Sequence, residues 1–212
     1  MDQIREDLWQ TSLGRSGGVN HCGFLLLRPD GNVLFYKAPN EDDFERITGL
    51  GGIEYQILSH RHESDPSPDL VKKAFGARLC SDALEGAVIS KESQVDITFD
   101  HGAGDLGSVE VLHTPGHTEG GISCVYRSPH GGVYLFSGDT MIPVKGQWIA
   151  QIVPEHGGDA AVLARSLLEL RDLEPDLVLS SASVGEQTAV EVEHDQWLRA
   201  VEETAGRPPI GP

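Results

Sequence analysis

Residues 54–65 read EYQILSHRHESD and pass from an apolar strand pattern into a polar loop that carries two histidines. The strand pattern covers Glu54–Ser59 and stops at His60. In an extended segment, residues i and i+2 point to the same side, so His60 and His62 can reach one ion while Arg61 points elsewhere. An HxH pair is a weak signal by itself, because two ordinary polar loop residues give the same pattern.

A second histidine follows another strand pattern, in the stretch HTPGHTEGG at residues 113–121. Pro115 and Gly116 predict a sharp turn directly after the strand. The turn directs His117 out of the sheet, where it can face the end of a different strand. An ordinary reverse turn with a surface histidine is the alternative.

Two carboxylates are further candidates for the same site. In FSGDT, residues 136–140, an apolar strand ends at a glycine that permits close backbone approach, and Asp139 can then serve as a hard metal ligand. Asp65 follows the HxH pair and is a candidate ligand as well. A turn residue before Pro66 explains Asp65 at least equally well.

Together, HxH, TPGHT and SGDT, in this order and at this spacing, make the sequence resemble the metallo-β-lactamase fold superfamily. The opening stretch GVNHCGFLL and the final strand and helix fit the same resemblance, which covers most of the chain. It implies an α+β fold, an αββα four-layer sandwich of two mixed sheets flanked by helices, with a metal site at one edge between the sheets. It also implies that His60, His62 and His117 are metal ligands and that Asp139 is a bridging carboxylate.

The sequence departs from the family pattern HxHxDH. Ser64 stands where a second metal needs aspartate, and Asp65 stands where it needs histidine. A further histidine is expected after the strand pattern that ends near Leu179, but residues 180–183 read SSAS. We therefore expect a site for one ion, since two carboxylates such as Asp65 and Asp139 rarely suffice for a second without neutral donors.

The predicted function is hydrolysis of a small ester, thioester or lactone by one zinc ion and its bound hydroxide. Asp139 is the first choice for the group that orients the water or acts as the base, and Asp65 is the second choice. His60, His117 and Asp139 also make two histidines and one carboxylate, the set of non-haem iron enzymes, and persulfide dioxygenases of the same superfamily use such a set. A non-catalytic metal-binding descendant of the fold is a third hypothesis.

Two other histidines lie near these motifs. His113 is interpreted as a packed residue or as a residue beside the ligands, and His156 precedes a helix pattern and could lie near the cleft.

The composition and charge of the chain exclude some classes of binding partner. The chain has 212 residues and a formal net charge of -17, so it repels phosphate backbones and anionic membranes. Three widely spaced cysteines do not make a disulfide framework. The first ten residues lack the apolar core of a signal peptide, and no run of about 20 apolar residues predicts a membrane span. We expect a cytoplasmic enzyme with a small-molecule substrate. The sequence does not decide whether the chain forms a homodimer.

The length, with no sequence repeat and no low-complexity linker, predicts one domain over residues 1–212, with a flexible tail from about residue 204. Strand patterns over residues 23–28 and 32–37 flank a Pro-Asp-Gly turn, and a second hairpin turn covers residues 129–132. Helices are predicted over residues 41–48, 67–75, 83–87, 159–172 and 188–203, with Ser67 and Ser81 as the caps of the second and third.

Overall fold

The computed structural model describes residues 1–37, 40–101, 104–185 and 187–209 of the chain. In these residues two large β-sheets lie face to face, and helices cover their outer faces. The predicted α+β sandwich with four layers is confirmed.

The first sheet has seven strands and contains the N-terminal half of the chain. Its spatial order is β1 (Asp2–Arg5), β2 (Leu8–Gln10), β5 (Phe24–Leu26), β6 (Val33–Phe35), β7 (Tyr55–Ile57), β8 (Arg78–Asp82) and β9 (Ile97–Phe99). The strands from β1 to β6 pair antiparallel, and those from β6 to β9 pair parallel, so the sheet is mixed.

The second sheet has six strands from the C-terminal half. Its order is β10 (Gly104–Leu106), β11 (Val109–His113), β12 (Ile122–Arg127), β13 (Val133–Gly138), β16 (Leu177–Ser180) and β18 (Ala189–Glu191). Two small sheets complete the described strands: β14 (Ile142–Val144) with β15 (Gln147–Ile149), and β3 (Gly14–Ser16) with β4 (Val19–His21) and β17 (Ala182–Ser183).

The main core lies between the two large sheets. Phe35 of the first sheet and Phe136 of the second stack with their ring centroids 3.6 Å apart, and both side chains are fully buried. Burial of an aromatic side chain of this size removes about 150–250 Å² from water, so this layer dominates the cohesion of the sandwich.

The outer layers are helical. The helices are α1 (Phe44–Gly49), α2 (Ser67–Phe75), α3 (Ala83–Ile89), α4 (Ala160–Leu170) and α5 (His194–Gly206), with short 3-10 turns at Glu41–Asp43, Arg61–Glu63, Pro154–His156 and Arg171–Leu173. Ile47 and Val71 pack helices α1 and α2 against the first sheet. Leu163 and Trp197 pack α4 and α5 against the second.

The caps of α2 and α3 differ from the predictions. Ser67 is the first residue of α2 rather than its cap, and Asp65 accepts the hydrogen bond from the Ser67 N–H at 2.7 Å. Ser81 lies in β8, and Asp82 caps α3 instead. In both helices the carboxylate accepts from the N–H two residues further along, Ser67 or Leu84, and so satisfies a donor that has no partner within the helix.

The C-terminal helix begins later and ends later than predicted. Residues 189–191 form strand β18, which adds to the edge of the second sheet, and the capping box of Glu193 and Gln196 starts α5. The helix continues through Gly206 with Thr204 buried, so the tail predicted from residue 204 is helical at its start. Residues 210–212 of that tail lie outside the described residues. The longest described helix has 13 residues, and no described helix is long and apolar enough to cross a membrane.

Candidate metal centre

His60 lies three residues after the end of β7, where the two large sheets meet. The N–H of Ile122 in the second sheet donates to the carbonyl of Ser59 at 3.0 Å. The His60 side chain is buried, and its Nδ1 lies 3.1 Å from Ser59 Oγ and 3.3 Å from a Glu63 carboxylate oxygen. Its Nε2 is also buried but has no hydrogen-bond partner in the described residues, so it is the free atom that faces the site.

The side chain of His62 lies beside that of His60, but the backbone conformation that places it there differs from the prediction. Residues 61–63 form a 3-10 turn rather than an extended segment, so strand alternation does not explain the pairing. The turn nevertheless brings the ring centroids of His60 and His62 to 5.0 Å.

The turn around Gly116 places His117. Gly116 has a φ of 123°, and a Cβ there would lie 2.3 Å from the backbone nitrogen of Leu163 in α4, so only glycine fits. The predicted sharp turn is therefore present. His117 is buried, and its Nδ1 lies 2.9 Å from the carbonyl oxygen of Gln151. This carbonyl holds the proton on Nδ1 and leaves Nε2 with a lone pair.

The three histidines converge on one point. Each offers one nitrogen, and these three atoms lie within 4.8 Å of one another. Nδ1 of His62 is 3.2 Å from Nε2 of His117. Two nitrogens on a tetrahedral zinc with bonds of about 2.0–2.1 Å lie about 3.3 Å apart, so this spacing and the unpartnered Nε2 of His60 fit a metal ion.

Asp139 borders the same point. It follows Gly138, whose φ is 55° and whose Cβ, if present, would lie 2.3 Å from Ser59 Oγ, so the glycine lets β13 approach the end of β7. One carboxylate oxygen of Asp139 lies 3.5 Å from Nε2 of His60 and 3.8 Å from Nε2 of His117. The other accepts a hydrogen bond from the hydroxyl of Ser181.

Asp65, the other candidate carboxylate, has different partners. One of its oxygens accepts hydrogen bonds from the N–H and the hydroxyl of Ser67, and the other lies 3.2 Å from Nζ of Lys37. Within the described part of the chain, Asp65 forms no hydrogen bond or ion pair with the three histidines or with Asp139.

The loops that carry His62 and His117 are linked by buried carboxylate contacts that were not predicted from the sequence. Glu85, whose side chain is fully buried, accepts hydrogen bonds from the N–H of Arg61 at 2.8 Å, from its Nε at 2.7 Å and from the N–H of Gly120 at 2.9 Å. Arg61 also pairs with Glu119 at 2.7 Å, so its guanidinium points away from the site, as predicted. No local pattern marks Glu85, because its partners belong to two other loops.

His156 lies closer to the site than its place in the sequence indicated. Its Nδ1 is 2.6 Å from Nε2 of His62, although it is not one of the three converging histidines. His113 is separate: its ring packs at 5.8 Å from the ring of His101. Only the loop position of His156, just before a helix, could have suggested the contact.

Burial and neighbouring charges shift the pKa values of His60, His62 and Asp139 in different directions. Burial alone would lower the pKa of His60, but the carboxylates of Asp139 and Glu63 raise it to about 9. Desolvation and the neighbouring imidazoles lower the pKa of His62 to about 4. Burial would raise the pKa of Asp139, but His60, His117 and the Ser181 hydrogen bond lower it, so this carboxylate is ionised at neutral pH.

The central part of the chain matches a known protein family. Residues 44–181 match the family model of the metallo-β-lactamase superfamily. No curated protein sequence matches the chain significantly.

Solved structures with the same fold are distant in sequence. A metallo-β-lactamase from Cronobacter sakazakii, a variant described by its HARLDQ motif, superposes with a TM-score of 0.69 at 18% identity, over 95% of this chain and 92% of that chain. A metallo-β-lactamase from Pontibacter korlensis gives 0.67 at 17% identity, over 94% and 97%. A B3 metallo-β-lactamase with an active-site glutamic acid gives 0.69 at 12% identity, over 96% and 86%.

The identities to these structures are low, so their likeness shows the fold alone. The matched segment covers well over half of the sequence and contains His60, His62, His117 and Asp139. The chain therefore belongs to the metallo-β-lactamase superfamily.

Proposed function

We propose that this chain is a hydrolase that holds one metal ion, with zinc as the preferred ion, and cleaves a small ester, thioester or lactone. The observation that carries the proposal is the convergence of three imidazole nitrogens within 4.8 Å, with a carboxylate oxygen of Asp139 3.5 Å and 3.8 Å from two of them. Three protein ligands and an open position are the arrangement of catalytic rather than structural zinc sites.

The ligand atoms follow from the hydrogen bonds. His60 and His117 each engage Nδ1 with protein groups, so both would bind the ion through Nε2, while His62 would bind through Nδ1. A zinc ion held by these three nitrogens would supply Lewis acidity, which lowers the pKa of a coordinated water toward about 7.

Asp139 is the chain's own group for handling the proton of that water. Its lowered pKa keeps it ionised, so it can accept a hydrogen bond from water, orient it and take up its proton. The Ser181 hydroxyl fixes one carboxylate oxygen and leaves the oxygen near His60 and His117 for this task. Asp65 remains the second choice, and its bonds to Ser67 and Lys37 weigh against a catalytic role.

The residues at the second metal position support a single ion. Ser64 and Ser181 are neutral hydroxyls, and the charge of Asp65 is already balanced by Lys37. Hydroxyls are weak ligands for zinc, so a second ion would lack donors.

Metal analysis and a hydrolysis screen test the proposal together. Protein purified without chelator should carry about one equivalent of transition metal, and a panel of esters, thioesters and lactones should include a substrate that it turns over. His117→Ala should remove both properties, whereas His130→Ala, at an exposed hairpin, should change neither. Metal content far below one equivalent, or turnover that survives His117→Ala, would contradict the proposal, and metal without turnover would favour the non-catalytic alternative.

An iron enzyme acting on a thiol or persulfide is the second candidate. It is favoured by the oxygen of Asp139 that lies near both His60 and His117, since these three groups form a set of two histidines and one carboxylate. The nitrogen of His62 lies in the same cluster as those of His60 and His117, and a set of three histidines favours zinc. Anaerobic purification followed by oxygen-uptake measurements with glutathione persulfide separates the two: uptake by iron-loaded protein would replace the hydrolase proposal, and its absence would end the second candidate.

A further inference from the structure

His62 is the exposed member of the three histidines, and both of its ring nitrogens have partners. Nδ1 lies 3.2 Å from Nε2 of His117, on the side where the three ligand atoms meet. Nε2 lies 2.6 Å from Nδ1 of His156, on the opposite side of the ring. The ring centroids of His62 and His156 are 4.8 Å apart and tilted by 45°.

The protonation pattern of this pair follows from the role of His62. A ligating imidazole offers a lone pair on one nitrogen and carries its proton on the other. Because Nδ1 of His62 faces the ligand cluster, its Nε2 carries the proton and donates it to Nδ1 of His156. His156 then keeps its own proton on Nε2.

The other two histidines are oriented differently. His60 has Ser59 and Glu63 at its Nδ1, and His117 has the carbonyl of Gln151. Both rings are also buried. His62 has neither burial nor a backbone acceptor, and His156 is the partner recorded for its outer nitrogen among the described residues.

The backbone around His156 is fixed to the loop that carries His117. The N–H of Val153 donates to the carbonyl of His117 and the N–H of Glu119 donates to the carbonyl of His156, each at 3.0 Å. A Cβ on Gly158 would lie 2.6 Å from the carbonyl oxygen of His117, so the two segments touch closely. His156 is thus held in register with a ligand of the same site.

We propose that His156 is a positioning residue of the metal site, which orients His62 and assigns Nδ1 as its ligating atom. The proposal rests on the proposed metal-binding function and adds a fourth histidine that touches a ligand rather than the ion. Residues that accept a hydrogen bond from a ligating histidine commonly change metal affinity by about 10–100-fold when they are replaced.

Two substitutions at the same position separate the hydrogen bond from the bulk of the ring. In His156→Asn the amide oxygen can occupy the place of Nδ1 and accept the bond, whereas in His156→Gln it lies near the place of Nε2. We expect the Kd for zinc, measured at constant pH by competition with a chromophoric chelator, to rise about 10–100-fold in His156→Gln and to stay within about 3-fold of wild type in His156→Asn. His130→Gln, at an exposed hairpin, is the matched control.

A second readout reports on the ligand itself. In zinc-loaded protein labelled with 15N-histidine, the Nε2 proton of His62 should give a protected NMR signal that disappears in His156→Gln and persists in His156→Asn. Circular dichroism of the metal-free variants shows whether either one fails to fold, and if His156→Gln does, His156→Leu takes its place.

The outcomes are distinguishable. Zinc bound equally well by wild type, His156→Gln and His130→Gln, but lost in His117→Ala, would overturn the role of His156 and leave the proposed function intact. Equal weakening in His156→Asn and His156→Gln would also overturn it. Wild-type protein that binds no transition metal would overturn both proposals.

Discussion

The two metal positions that the family pattern predicts carry unlike side chains in this sequence: the first has a histidine half, formed by His60, His62 and His117, and the second has a serine half, made up of Ser64, Asp65 and Ser181. In the histidine half every ring nitrogen that turns away from the centre contacts a protein acceptor or donor. In the serine half the groups are neutral or have their charge balanced nearby. The difference teaches that a cation position requires both donors and the residues that orient them, and among the described residues the histidine half has both kinds of group.

The largest effect is expected where the histidine half depends on one buried carboxylate. Glu85→Gln removes the charge that faces Arg61 and weakens the links to both histidine loops. We expect a loss of about 3 kcal/mol in the free energy of unfolding, because one partner of a buried ion pair is left behind. Glu119→Gln is the matched control: it contacts the same Arg61 but is 47% exposed, and we expect about 1 kcal/mol or less. Equal losses in urea denaturation would show that Glu85 has no special role.

The ion pair of Glu85 and Arg61 predicts that the free energy of unfolding depends on pH. Burial alone would raise the pKa of Glu85, but the hydrogen bonds and charge of Arg61 lower it. A carboxyl whose pKa is lower in the folded state stabilises the fold above its unfolded-state pKa, about 4.3 for glutamate, and this stabilisation is lost as pH falls through the folded-state pKa. The difference between wild type and Glu85→Gln should therefore be full at neutral pH and shrink in acid. A difference that grows in acid would contradict the assignment.

A paired comparison of Asp139→Asn and Asp65→Asn sharpens the roles of the two carboxylates. An amide cannot take up a proton, so kcat/KM for a substrate found by screening should fall about 100-fold or more in Asp139→Asn. Asp65→Asn should change it by less than about 3-fold, because Asp65 serves Ser67 and Lys37. A large loss in Asp65→Asn and a small one in Asp139→Asn would reverse the assignment.

A smaller effect is expected at the hydroxyl that orients Asp139. Ser181→Ala removes its hydrogen bond to the carboxylate, and we expect kcat/KM to fall about 10-fold with the zinc content unchanged. Ser181→Thr keeps a hydroxyl and should recover most of the loss. If threonine and alanine behave alike, the hydroxyl does not orient Asp139.

The smallest effect is expected when metal ligands are added to the serine half. The double variant Ser64→Asp and Asp65→His restores the HxHxDH pattern, yet Ser181 still leaves one ligand missing. We expect a second zinc equivalent that binds more weakly than the first, detected by metal titration. A wild-type protein that already binds two equivalents would show that the contrast between the halves is wrong.

Several parts of the fold could be predicted because they depend on neighbours in sequence. The turn at residues 29–31 is a hairpin in which Leu26 pairs with Val33. Likewise, the strands that precede the three motifs end near the predicted residues. Small strands such as β1 and β14 were missed, because short segments gain their stability from partners elsewhere in the chain.

The sequence by itself determined which side chains could bind a cation and where turns release them from strands, since residue type, spacing and glycine requirements are local properties. Only the tertiary structure decided that His60, His62 and His117 meet and that Asp65 pairs with Lys37. It also decided that Glu85 and His156 contact the loop that carries His62. These contacts join residues from different loops, and their distances are fixed by how two sheets pack across a common core, which no local pattern encodes.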